Sequence, residues 1–182
     1  MKAAICYELG KPLVIEEIEI DPPKQSEVKI RLGATAICHS DVFIVNGGWG
    51  GDTPVLAGHE AAGVVEEVGP GSTLYKPGDR VLATLLRSCG RCRNCASGVT
   101  YVCEGEFALA REGRLHNRKG DPIRMGANVA AFAEYVVIHE SQLAPIPDDL
   151  PFDQASLISC GVITGAGAVM NTADVEPGSS VV

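Results

Sequence analysis

Cys89, Cys92, Cys95 and Cys103 follow the spacing C-x2-C-x2-C-x7-C, and this constrains the fold more than any other feature of the 182-residue sequence. Two-residue intervals let backbone turns aim successive thiolates at one point, and the fourth closes a tetrahedron, the pattern of a closed structural metal site. An iron–sulfur cluster is the rival reading, but the ferredoxin run closes with C-x3-C-P, whereas seven residues intervene here and Glu104 follows. Zinc is the better fit. Four protein ligands leave no open position, so such a metal orders the chain and does no chemistry. The other three cysteines are Cys6, Cys38 and Cys160, an odd total of seven. With four of the seven packed into fifteen residues, thiolates on metal in a reducing compartment fit better than disulfides.

The flanking segments read as short β-strands at 2–7, 13–20, 28–35, 63–68 and 80–83, then at 130–138 and 142–146. Turn signals such as Asp21-Pro22-Pro23, Gly69-Pro70-Gly71 and Lys76-Pro77-Gly78-Asp79 space them as in an all-β barrel. Between 87 and 128 periodicity disappears, and the excursion is too long for an unsupported loop. Metal is expected to order it as a lobe with no core of its own. Near the end, 151–159 reads as a helix interrupted at Gly161, a second helix follows at 162–171, and Val181-Val182 reads as the opening of a buried strand. An apolar content of 46% is ample for a packed core in a mainly β fold with a few helices. No apolar run approaches a membrane span and no signal peptide is evident, so the reading is a cytoplasmic protein.

The net charge of −8 disfavours nucleic acid and anionic membrane as partners. Even so, residues 87–124 hold eight of the fifteen Lys and Arg against four acids, Glu104, Glu106, Glu112 and Asp121. A solvated lobe offsetting thiolate charge is preferred there to a phosphate-binding face.

Three dispersed residues stand in telling contexts: Cys38 in Cys38-His39-Ser40-Asp41, His59 in Gly58-His59-Glu60, and Cys160 in Ser159-Cys160-Gly161. Singly each has an ordinary explanation, since buried Cys is a common small hydrophobe and a lone His is more often a core or surface residue. Together they fit a two-Cys, one-His zinc site with an open fourth position. Cys6 reads as a buried strand residue, and His116 and His139 as surface residues.

These segments, with the four-cysteine lobe between them, occur in the order and rough separation found in medium-chain zinc-dependent alcohol dehydrogenases, which the whole chain resembles. The resemblance implies a partly open, GroES-like barrel over residues 1–175, with a structural-zinc lobe at about 87–128. It implies that 176–182 begin a Rossmann domain. Cys38, His59 and Cys160 become ligands of a catalytic zinc, giving two zinc ions per chain. Asp41 would orient His59 through its other ring nitrogen, and Glu60 would sit behind the metal. Ser40 would take the alcohol proton and pass it toward the ribose of NAD or NADP, while His39 would touch the cofactor pyrophosphate. Trp49, Leu85 and Phe132 fall where substrate pockets are lined in relatives.

The implied reaction is oxidation of a small primary or secondary alcohol to an aldehyde or ketone, in a protein that is a dimer or tetramer when full length. Phe43 departs from the pattern, standing where some relatives place the histidine that ends the proton relay. No G-x-G-x-x-G occurs: Gly165-Ala166-Gly167 begins one, but Met170 takes the third glycine. That fingerprint is expected beyond Val182, so this chain alone is expected to bind zinc without turning over alcohol. A stand-alone zinc-binding interaction module is the alternative from another class. Zinc-free quinone reductases are disfavoured by both metal sites.

Overall fold

The computed structural model describes residues 1–181. In chain order the strands and helices are β1 (Lys2–Cys6), β2 (Val14–Glu17), β3 (Glu19–Ile20), β4 (Glu27–Ala36), α1 (His39–Val45), β5 (Val55–Leu56), β6 (Glu60–Val68) and β7 (Arg80–Ala83). There follow α2 (Arg93–Ala96), α3 (Ala108–Glu112), β8 (Leu115–His116), β9 (Pro122–Met125), β10 (Tyr135–His139) and β11 (Leu143–Pro145). A long helix, α4 (Phe152–Thr172), ends the fold. Five strands form an antiparallel sheet in the order β10-β4-β6-β7-β11, and six form a second in the order β2-β1-β5-β9-β8-β3. Together they make a nearly closed barrel. Its core is β-branched and small: Val28, Ile30, Ala61, Val65, Val81, Val136 and Ile138 are each at most 1% exposed. A second cluster, Ile5, Ile18, Leu56, Leu115 and Ile123, lies under the six-stranded sheet.

Several expectations are corrected. The strand at 13–20 breaks at Ile18, because β2 pairs with β1 whereas β3 turns to β8, and Ile18 is buried at the change of partner. Regular pairing in the segment 130–138 starts only at Tyr135; Ala127, Asn128 and Ala130 have positive φ, which is incompatible with a strand. The lobe is not held by cysteines alone. Its second half contributes Phe107, Leu109, Leu115 and Ile123, all buried, and β8 and β9 join the six-stranded sheet.

Finally, Gly161 does not interrupt the last helix. The chain passes through a widened, π-type turn at Ile158–Val162 and continues through a second at Ala168–Thr172. The resulting 21-residue helix is long and apolar enough to cross a membrane by length and composition alone, weak evidence for a span. Ala155, Ser156 and Ser159 face the barrel. Val162, Ile163 and Val169, beyond them, are exposed. Val181 is exposed and in no strand, since no neighbouring strand lies beside it among the described residues; Val182 lies outside them.

His116 and His139 are half-buried rather than on the open surface. His116 Nε2 lies 3.1 Å from Asp21 Oδ2, and β8 carries it against β3. His139 Nδ1 lies 2.8 Å from Ser141 Oγ, and its ring meets Phe107 edge-on at 4.8 Å. Burial holds the His139 imidazole below the usual 6.5, against the opposing pull of Glu140 and Glu27. The unfolded chain therefore binds a proton there more readily than the folded one, and the stability His139 contributes is lost as pH falls below the ordinary histidine range. Urea midpoints should drop more for the parent than for His139→Asn between pH 7.5 and pH 5.5. An equal drop would remove His139 from the pH response.

Candidate metal centre

Two clusters of metal-ligating side chains emerge from this topology. The first depends on strand register. β4 and β6 are antiparallel with Ala36 opposite Glu60, so Cys38, two residues past one strand, and His59, one residue before the other, arrive side by side. β7 follows β6 with Ala83 opposite Ala61, and Thr84 Oγ1 just beyond donates to the Ser159 carbonyl at 3.1 Å. That bond moors α4 where Cys160 joins the others. The ligand atoms of Cys38, His59, Glu60 and Cys160 all lie within 4.8 Å of one another. Cys160 sits in the π-type turn, the kind of irregularity that re-aims a side chain within a helix.

Asp41 organises this cluster. It is 1% exposed, and its carboxylate accepts from the backbone N–H of Cys38 at 3.2 Å and of Gly58 at 3.0 Å. His59 Nδ1 stands 2.9 Å from the same carboxylate. His59 Nε2 is buried with no hydrogen-bond partner. The Asp41 bond outweighs burial and holds His59 above the usual histidine range. Burial pushes Cys38 up, but the Ser40 hydroxyl at 3.5 Å, the Ser40 N–H and the charge of His59 together bring its thiol below the ordinary value. Cys160 is raised, by burial first and then by the charges of Cys38 and Glu60. Glu60 is buried, and its Oε2 accepts from Gly161 N–H at 3.4 Å. The approach of Ala57 and Gly58, between β5 and β6, to residues 131–132 demands glycine at 58, where φ is +97° and a Cβ would stand 2.7 Å from the Phe132 nitrogen.

The second cluster is Cys89, Cys92, Cys95 and Cys103, with all four sulfurs within 4.8 Å. Backbone N–H groups point at them: Cys89 N to Cys103 Sγ at 3.3 Å, Cys92 N to Cys89 Sγ at 3.3 Å, Cys95 N to Cys92 Sγ at 3.4 Å. Such bonds stabilise thiolates, and N–H groups of Cys95 and Glu104 lower Cys92 to about 6. Cys92 and Cys103 sulfurs are 3.9 Å apart, close to the roughly 3.8 Å between corners of a tetrahedron with ~2.3 Å metal–sulfur bonds. Gly105 completes this cage: its N–H donates to Cys103 Sγ at 3.2 Å, and a Cβ there would lie 2.5 Å from that of Cys89. Its place two residues after the last cysteine was the available signal in the sequence.

The remaining candidates are scattered. His39 opens α1 and is exposed, and Ser40 is half-buried beside Cys38. Trp49 is 65% exposed and meets Phe43 edge-on at 5.2 Å. Leu85 packs on the barrel core and Phe132 on the second cluster, so the three pocket candidates have three different settings. Cys6 is buried in β1.

A nearly closed β-barrel with one four-cysteine cluster and one Cys, His, Glu, Cys cluster defines a class, that of β-barrel domains with two groups of side chains able to hold a metal. The chain belongs to the alcohol dehydrogenase GroES-like domain family, whose sequence model matches residues 24–148. It is 43% identical to alcohol dehydrogenase class-3 of Pisum sativum, covering 99% of this chain and 50% of that protein. It is 41% identical to alcohol dehydrogenase class-P of Arabidopsis thaliana with the same coverage. Among solved structures, an alcohol dehydrogenase zinc-binding domain protein from Burkholderia ambifaria superposes with a TM-score of 0.89 at 34% identity, over 98% of this chain and 50% of that one. The chain thus spans about half the length of the curated relatives it matches.

Proposed function

We propose that this chain is the zinc-carrying part of an NAD(P)-dependent alcohol dehydrogenase that oxidises a small primary or secondary alcohol and, in reverse, reduces an aldehyde or ketone. The observation that carries the reading is His59: Nδ1 is held by Asp41 while Nε2, buried and unpartnered, shares its surroundings with the thiols of Cys38 and Cys160. An unpaired buried polar nitrogen costs about 1–3 kcal/mol, and a metal ion supplies the missing partner. Cys38, His59 and Cys160 would hold the zinc, leaving a fourth position for substrate. The bound zinc supplies Lewis acidity that lowers the pKa of an alcohol hydroxyl.

This chain's own residues do the rest. Asp41 fixes the tautomer of His59 that presents a bare Nε2. Ser40 Oγ accepts the alcohol proton and passes it toward the cofactor ribose, with Phe43 in place of a terminal histidine leaving ribose or water as the exit. His39, exposed at the start of α1, would meet the cofactor phosphates. Glu60, tethered to the Gly161 N–H, keeps its carboxylate within 4.8 Å of the other three ligand atoms and would be available as an alternative ligand. NAD or NADP, held by a Rossmann domain in the whole protein, would supply the hydride acceptor, and that protein would assemble as a dimer or tetramer in the cytoplasm. Cys89, Cys92, Cys95 and Cys103 would hold a second zinc with no part in the chemistry.

Metal analysis tests this directly. The parent should carry two zinc ions per chain, Cys38→Ser one, and Cys95→Ser one with a less ordered lobe. A parent with a single zinc, confined to the four-cysteine set, would overturn the dehydrogenase reading in favour of a zinc-ordered interaction module.

A further inference from the structure

The basic stretch at 87–124 is not spent on the thiolates alone. Three of its arginines, Arg87, Arg111 and Arg124, line one cavity of about 440 Å³ between α3, β9 and the chain leading into β5. None of the residues lining it belongs to either metal cluster. In a chain of net charge −8, such a concentration of guanidinium groups in one concavity calls for a partner.

Its charges are only partly neutralised internally. Arg111 is paired with Glu106 at 3.1 Å, and Glu112, also on the wall, is held by Lys24 at 2.6 Å and Arg114 at 3.2 Å. Those charges are spoken for. Arg87 has no carboxylate partner among the described residues; it is half-buried with its guanidinium 4.5 Å from the centre of the Phe107 ring. Stacking holds the fork rigid without satisfying its in-plane N–H donors. The Arg124 guanidinium donates to the Asp52 carbonyl at 3.0 Å and likewise lacks a carboxylate partner among the described residues. Two free guanidinium groups therefore face one rim carboxylate, Asp52. Asn128 and Gly113 add neutral lining.

We propose that this cavity binds a small organic dianion, a phosphate monoester or a dicarboxylate, through the forks of Arg87 and Arg124. Both anion types offer paired oxygens that match planar guanidinium geometry, and the volume suits a molecule of metabolite size.

Isothermal titration of the protein with inorganic phosphate, and separately with succinate, tests this. Saturable one-to-one binding of at least one is expected, and the tighter of the two names the natural class. Arg87→Gln and Arg124→Gln should each weaken binding about tenfold or more, the loss of a charge-assisted pair. Asp52→Asn should strengthen it, and Arg118→Gln, outside the cavity, should leave it unchanged. Because Arg124 is exposed, its variant keeps the test valid if Arg87→Gln disturbs packing on Phe107. Absence of saturable binding to either anion, or binding that Arg124→Gln leaves intact, overturns the proposal.

Discussion

Cys160→Ser in the whole enzyme should reduce alcohol oxidation to less than about a tenth of the parent rate while the circular dichroism spectrum stays the same. A serine hydroxyl is nearly isosteric with the thiol but does not deprotonate near neutral pH, so it is a poor zinc ligand. Cys160 is partly exposed in the π-type turn of α4, away from the barrel core that holds the fold together. The fold should therefore tolerate the change. Lewis-acid activation of the hydroxyl is asked for several kcal/mol of the barrier, and each ~1.4 kcal/mol lost is tenfold in rate. Cys38→Ser should behave alike, since Cys38 sits at the N-terminus of a short helix already capped by Asp41. Activity above about a tenth of parent in either variant would show that these thiols do not hold the catalytic metal.

The largest stability effect is expected at Arg114, a residue with no role in either metal cluster. Arg114 and Glu27 are both buried, and the pair is bidentate, Nε to Oε2 at 2.9 Å and Nη2 to Oε1 at 2.6 Å. Glu27 also accepts from Lys24 N–H at 2.9 Å, while Arg114 donates to the Gly113 carbonyl and Glu112. This network ties the chain after α3 to the start of β4. Arg114→Ala leaves a buried carboxylate without its counter-charge, a change that typically costs about 3–5 kcal/mol. For a domain of this size that lowers the melting temperature by roughly 10 °C. Replacing both partners together, Arg114→Met with Glu27→Leu, should recover most of the loss, because no uncompensated charge remains. Chemical denaturation of the three variants checks it; an Arg114→Ala protein within about 1 kcal/mol of the parent would mean water reaches the pair.

Much of the fold was legible before any coordinates. Alternating β-branched runs between Pro-Gly turns located the barrel strands, with 80–83 matching β7 at both ends. What failed was local reasoning where tertiary partners decide. Ile18 looked like mid-strand because its own pattern is continuous, and only the switch from β1 to β8 as neighbour breaks it. Gly161 looked like a helix end because glycine lowers helix propensity, yet the mooring of Ser159 by Thr84 and of Gly161 by Glu60 carries the helix through as a widened turn. Arg114 looked like one more charge on a solvated lobe, because its partner Glu27 lies 87 residues away.

The sequence by itself determined the four-cysteine cluster, since ligands two residues apart converge through local turns whatever the rest of the chain does. It determined, too, which residues were chemically able to form a second centre, and the family resemblance singled out Cys38, His59 and Cys160. Only the tertiary structure decided that they meet. Their approach depends on the antiparallel register of β4 against β6 and on the docking of α4 against β7, contacts between segments up to about a hundred residues apart. The buried, unpartnered Nε2 of His59 and the convergence of Arg87 and Arg124 on one cavity are of the same kind. Spacing along a chain encodes short loops directly, whereas burial and long-range proximity exist only once the barrel has closed.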